Sequence, residues 1–133
     1  MPALTFVHLA AQVEGLHYWP DADDPDRYLQ TPHRHLFVVT VDLQVFHDDW
    51  EIEINAASRW LSALLPTLTD VPRIGDGPVD FGPQSCEQLA TRVTEAIKQR
   101  HGRHRQITTT VLEDGLLGAG ITWRPDMAKE PGA

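Results

Sequence analysis

The chain has 133 residues, 41% of them hydrophobic and 23% charged, which suits one domain with a core of its own. A formal net charge of −8 argues against a nucleic-acid backbone as partner, and no basic stretch followed by an apolar segment reads as a leader. No apolar run is long enough to span a bilayer, and the single cysteine, Cys86, excludes an internal disulfide, so a cytoplasmic protein without a membrane partner is expected.

In chain order, Thr5 to Glu14 places Phe6, Val7, Leu9 and Val13 among polar residues and reads as a first strand, with Gly15 marking a break or bulge before His17. The stretch from Pro20 to Pro32 is a loop by composition, with three prolines and the aspartates Asp21, Asp23, Asp24 and Asp26. His33 to Phe46 is a long second strand rich in Val and Phe, ended by a turn at His47-Asp48-Asp49-Trp50. Asn55 is the expected N-cap of a helix running to about Leu65, where Pro66 stops it. Ala57, Trp60, Leu61, Leu64 and Leu65 share one face of that helix. Thr67 to Gly82 reads as a linker. Ser85 and Gln88 then form a capping-box signature for a second helix with a Leu89, Val93 and Ile97 stripe, ended by Gly102. The basic run from Arg100 to Arg105 is a solvated helix end. Strands follow at about 106–113 and 119–124, joined by a glycine-rich turn.

This order predicts an α+β domain over residues 1–125, a four-stranded antiparallel sheet with both helices on one face, followed by a flexible tail over 126–133. Phe37, Val39 and Val41 fall on one side of the second strand while Leu36 and Val38 fall on the other. Apolar residues on both faces imply that the sheet packs against or pairs with other subunits.

The sharpest chemical feature is His33-Arg34-His35 at the mouth of the second strand. Side chains alternate along an extended segment, so the two imidazoles point the same way and can share one metal ion. His17, at the end of the first strand, offers a third nitrogen. Three nitrogens leave a fourth position open, the layout of a catalytic zinc.

With His33-Arg34-His35 opening the second strand, His17 closing the first, Ser85-Cys86-Glu87-Gln88-Leu89-Ala90 opening a helix and Val111-Leu112-Glu113 in a late strand, the chain resembles the 6-pyruvoyl-tetrahydropterin synthase and 6-carboxytetrahydropterin synthase family over nearly all of residues 4 to 125. The resemblance implies the tunnelling fold, with homo-oligomers (trimers stacked into hexamers) whose sheets close into a barrel. It implies Zn2+ on His17, His33 and His35, and a small pterin-like ligand whose ring Glu113 anchors. Glu87 is a further candidate for substrate binding.

Two features depart from the family. The loop from Asp21 to Pro32 lacks the family's cysteine, and Val71 stands where a histidine follows the aspartate matched by Asp70. Asp70 and His47 are therefore the candidate proton-moving residues. Cys86, at a helix start, is expected to be buried and inert. Arg27 and Arg34 are the arginines placed to offset the charge of a triphosphate-bearing substrate. Three functions are open: a zinc-dependent, lyase-type enzyme acting on a reduced pterin or related bicyclic base, a noncatalytic member that keeps fold and metal and binds a ligand or protein, or a metal-free scaffold whose histidines are incidental.

Overall fold

Strand β1 (Thr5–His17) and strand β2 (His33–Val45) run antiparallel along their whole length, in unbroken register from Thr5 opposite Val45 to His17 opposite His33. A computed structural model describes residues 3–125, so the tail expected over 126–133 lies outside the described residues. Helix α1 (Ile54–Leu64) follows, then a two-residue strand β3 (Val79–Asp80), helix α2 (Cys86–His101), and the hairpin of β4 (Ile107–Glu113) and β5 (Leu117–Trp123).

The five strands form one open sheet in the order β3-β1-β2-β4-β5. The α+β architecture matches the expectation, but the four-stranded antiparallel sheet does not. Strand β3 pairs parallel to β1, at Gly15 and Leu16, which makes the sheet mixed and leaves β3 and β5 as its edges rather than closing it into a barrel. Strand β3 is too short to show an alternating pattern. It forms because Val79 is fully buried and Phe81 N–H donates to the Leu16 carbonyl at 2.8 Å.

Gly15 does not break β1. A Cβ there would sit 2.5 Å from the Phe81 ring, so the residue lies flat beneath an aromatic that a side chain would displace. Strand β1 therefore continues to His17 and delivers its imidazole to the sheet end. Helix α1 starts earlier than Asn55, because the Glu53 carboxylate accepts from the Asn55 and Ala56 N–H groups at 2.5 and 3.1 Å and is itself the cap. The capping box of Ser85 and Gln88 forms as read, and Gly102 ends α2 at a φ of 106°.

One sheet face carries the core. Leu9, Phe37, Val41, Leu43 and Val111 point toward the helices and meet Leu61, Leu89, Val93 and Ile97. Each such side chain removed from water contributes about 1.5–3 kcal/mol. Helix α1 packs on β1, and α2 packs on β4 and β5. On the opposite face Phe6 is exposed while Leu36 and Val38 are half-buried. Among the described residues no helix is long and apolar enough to cross a membrane.

Candidate metal centre

Three imidazoles converge where β1 ends and β2 begins. His17 pairs directly with His33, and His35 lies two residues along the same face, beside Gly15. Their ring centroids stand 4.7, 5.3 and 5.0 Å apart, and one nitrogen of each lies within 4.8 Å of the others. Phe37 supports the cluster from the core side, edge-on to His17 at 5.1 Å and to His35 at 5.8 Å, and packs in turn on Phe81 at 5.4 Å.

Each imidazole is oriented through its Nδ1. His17 Nδ1 lies 2.9 Å from the Gln84 carbonyl, His33 Nδ1 3.0 Å from the Thr31 carbonyl, and His35 Nδ1 2.8 Å from the Asp114 carboxylate. All three partners accept hydrogen bonds only, so each Nδ1 carries the proton and each neutral ring keeps its lone pair on Nε2. Outer partners of this kind fix the tautomer of metal-ligating histidines.

Two of those Nε2 atoms face a carboxylate. His17 Nε2 stands 3.1 Å from Glu113 Oε2, and His35 Nε2 stands 3.5 Å from Glu113 Oε1. A lone pair against an anionic oxygen is repulsive unless a positive charge lies between them. A second proton on His17 is disfavoured, because burial pushes its pKa down, a trend that the nearby His33 and His35 reinforce and that the Gln84 carbonyl and Glu113 oppose. A divalent cation between these atoms would relieve that repulsion, as would a shared proton, so the donor set is compatible with a cation.

A cavity of about 470 Å³ opens beside the cluster, lined among others by His17, Trp19, Leu29, Glu87, Glu113 and Leu117. Cys86 also lines it, with its Sγ donating to Glu113 Oε2 at 3.7 Å. Burial, and then the Glu113 charge, push that thiol up to about 12, so the buried Cys86 is favoured as the neutral thiol.

The other candidates lie elsewhere. Asp70 lines a second cavity of about 550 Å³ together with Arg92; Pro83, Gln84 and Glu87 form the wall shared by both cavities. His47 follows the far end of β2, and ten residues of strand carry Val45 ~33 Å from His35. Within one chain, Asp70 and His47 are not brought to the imidazoles, whereas Glu113 and Glu87 are. Arg34 points to the opposite sheet face and pairs with Glu14, and Arg27 pairs with Asp23 and Asp24.

Sequence reading assigned no role to Gln84, Thr31 or Asp114. Gln84 is itself held in place, its amide donating to the Leu68 and Phe81 carbonyls at 2.8 and 3.0 Å and its Oε1 accepting from Arg92 at 3.3 Å. Asp114 follows Glu113 at the hairpin turn and binds back across the sheet, its Oδ1 accepting from Leu36 N–H at 2.9 Å. The pairing of Phe37 with Glu113 is the signal that would have found it, since that register sets Asp114 beside Leu36.

Neither the protein-family models nor the curated proteins give a match to this chain.

Proposed function

We propose that the chain is a zinc-binding protein of the 6-pyruvoyl-tetrahydropterin synthase type, acting on a reduced pterin or related bicyclic base by lyase-type chemistry. The observation that supports this best is the convergence of three Nδ1-anchored imidazoles beside a cavity that His17 and His33 line together with the Glu113 carboxylate. His17, His33 and His35 would hold the zinc, which when bound supplies a Lewis acid with an open coordination position.

The remaining chemistry belongs to the protein. Glu113 has two oxygens with which to accept the N–H groups of a ring edge, and its charge offsets the cation. Glu87 is the carboxylate that lines both cavities and a candidate to receive a proton from a ligand; Asp70 opens on the neighbouring cavity. A thiol pushed up to about 12 stays neutral, so Cys86 does not replace the family's missing thiolate. His47 reaches this site only from a second chain, and homo-oligomeric assembly is part of the proposal.

A noncatalytic role is the second reading, favoured by the placement of Asp70 and His47 outside the cavity that His17 and His33 line. One experiment separates the readings: incubation of the zinc-loaded chain with 7,8-dihydroneopterin and with its triphosphate, followed by fluorescence and mass detection of products. Turnover that disappears in His35→Ala supports the enzyme. Binding without turnover supports the noncatalytic role, and no binding of either compound refutes the pterin assignment.

A further inference from the structure

The cavity beside the imidazoles is lined by buried and by exposed residues. His17 and Cys86 are buried and Glu113 partly so, while Trp19 from the loop after β1 and Leu117 at the start of β5 are exposed, with Leu29 and Gly118 from the same two segments completing the lining. Trp19 is 50% exposed and Leu117 75% exposed, so both present apolar surface to whatever enters. The loop side is fixed by backbone, with Trp19 N–H donating to the Leu29 carbonyl at 2.8 Å. Gly118 is required in the opposite wall, because a Cβ there would fall 1.8 Å from the Val111 carbonyl oxygen.

Among the described residues, and histidines aside, the charged side chains that this chain contributes to the cavity lining are the carboxylates Glu87 and Glu113. A bound divalent cation would balance two negative charges and leave no surplus to attract an anion. Both arginines near enough in sequence to serve a phosphate are already engaged by acids: Arg34 by Glu14 on the other face of the sheet, and Arg27 by Asp23 and Asp24. The start of α2 is taken too. The Ser85 hydroxyl accepts the Gln88 N–H at 3.1 Å, Gln88 Oε1 accepts the Ser85 N–H at 2.9 Å, and Glu87 already occupies the first turn.

We propose that this cavity selects a phosphate-free, uncharged bicyclic base with an apolar substituent, held between Trp19, Leu29 and Leu117 with its N–H-bearing edge on Glu113. The inference rests on the bicyclic-base reading above and narrows it. A substituent bearing phosphates would lie against indole and leucine and be repelled by Glu87, whereas an alkyl group removes apolar area from water at the same place.

The test is a binding panel on the full-length chain in its metal-loaded form, read by calorimetry and by quenching of tryptophan fluorescence. The ligands are 6-methyl-7,8-dihydropterin, 7,8-dihydroneopterin and its triphosphate, with guanosine and guanosine triphosphate as a second base with and without phosphates. The expected order is methyl compound tightest, then dihydroneopterin, with the triphosphate weaker than dihydroneopterin by more than about tenfold. In Leu117→Lys, a substitution at an exposed position, the gap closes to about threefold through tighter triphosphate binding. Triphosphates that bind as well as their phosphate-free partners overturn the inference while leaving the bicyclic-base reading intact. Preference for guanosine over its triphosphate with no pterin bound upholds the selection and refutes the pterin assignment. No binding by any of the five overturns both.

Discussion

Replacing Asp114 by Asn tests whether the outer partners of the imidazoles prepare them for a cation. Asp114 sits at a φ of 55°, a conformation that Asn adopts as readily, so the turn between β4 and β5 survives the change. The carboxylate makes two bonds at once, accepting Leu36 N–H at 2.9 Å and His35 Nδ1 at 2.8 Å. Those two donors hold its pKa below the ordinary carboxylate value, with His35 the larger influence. An amide has only one accepting oxygen. If it stays on Leu36 N–H, an NH2 group faces His35 Nδ1, drives the ring proton to Nε2 and removes the lone pair that a metal needs. Loss of such a partner weakens metal binding by roughly 10–100-fold, or about 1.4–2.7 kcal/mol. The assay is competition for zinc against a chromophoric chelator, with the visible spectrum of the cobalt-substituted protein as a reading of ligand geometry. His35→Ala, which deletes the ligand itself, sets the lower limit. Zinc affinity of Asp114→Asn within about twofold of the original chain, while His35→Ala binds far more weakly, would refute the reasoning about tautomers.

Three further outcomes follow from other parts of the molecule. Burial, reinforced by Arg100 and Arg105, holds the His101 imidazole below its ordinary value of 6.5, and its buried Nε2 has no hydrogen-bond partner among the described residues. The neutral ring is therefore favoured by folding, so this site's contribution is complete above about pH 6.5 and is lost as the pH falls through the lower folded value. Urea midpoints at about pH 7.5 and about pH 5.5 should separate less in His101→Phe than in the unsubstituted chain. Cys86, its thiol pushed up to about 12, should resist iodoacetamide at about pH 8 in the folded protein and react once the chain is denatured; rapid labelling of the native form would contradict its burial. Ser85→Ala removes the acceptor for Gln88 N–H and should cost about 1 kcal/mol, seen as a lower denaturant midpoint at unchanged slope.

Much of the candidate site was legible because its signals are local. The alternation of β2 puts His33 and His35 on one face without reference to the rest of the fold, and the capping box of Ser85 and Gln88 spans three residues. Glu113, singled out on the family resemblance, lines the cavity beside the imidazoles. What escaped depends on distant pairing. The carbonyl that fixes His17 belongs to a residue 67 positions away, and the carboxylate that fixes His35 lies 79 positions away. Nothing in the periodicity near Gln84 or Asp114 announces either contact, and an Asp-Gly pair reads first as a turn.

The fold shows the same division. Long strands and capped helices declare themselves by pattern, whereas β3 is two residues long and exists through pairing with Gly15 and Leu16. Gly15 misleads for a physical reason: its missing side chain makes room for the Phe81 ring instead of ending the strand. The arginines differ again. Arg27 and Arg34 look available for phosphate in sequence, and only the folded register shows that Arg34 leaves on the opposite face to meet Glu14.

Elemental analysis of the natively purified chain, alongside His33→Ala and His35→Ala, tests the central claim most directly. About one zinc per folded chain is expected, retained through gel filtration and lost in both variants while the fold persists by circular dichroism. A folded chain that stays metal-free after zinc is supplied, or one whose zinc survives removal of either histidine, would contradict it.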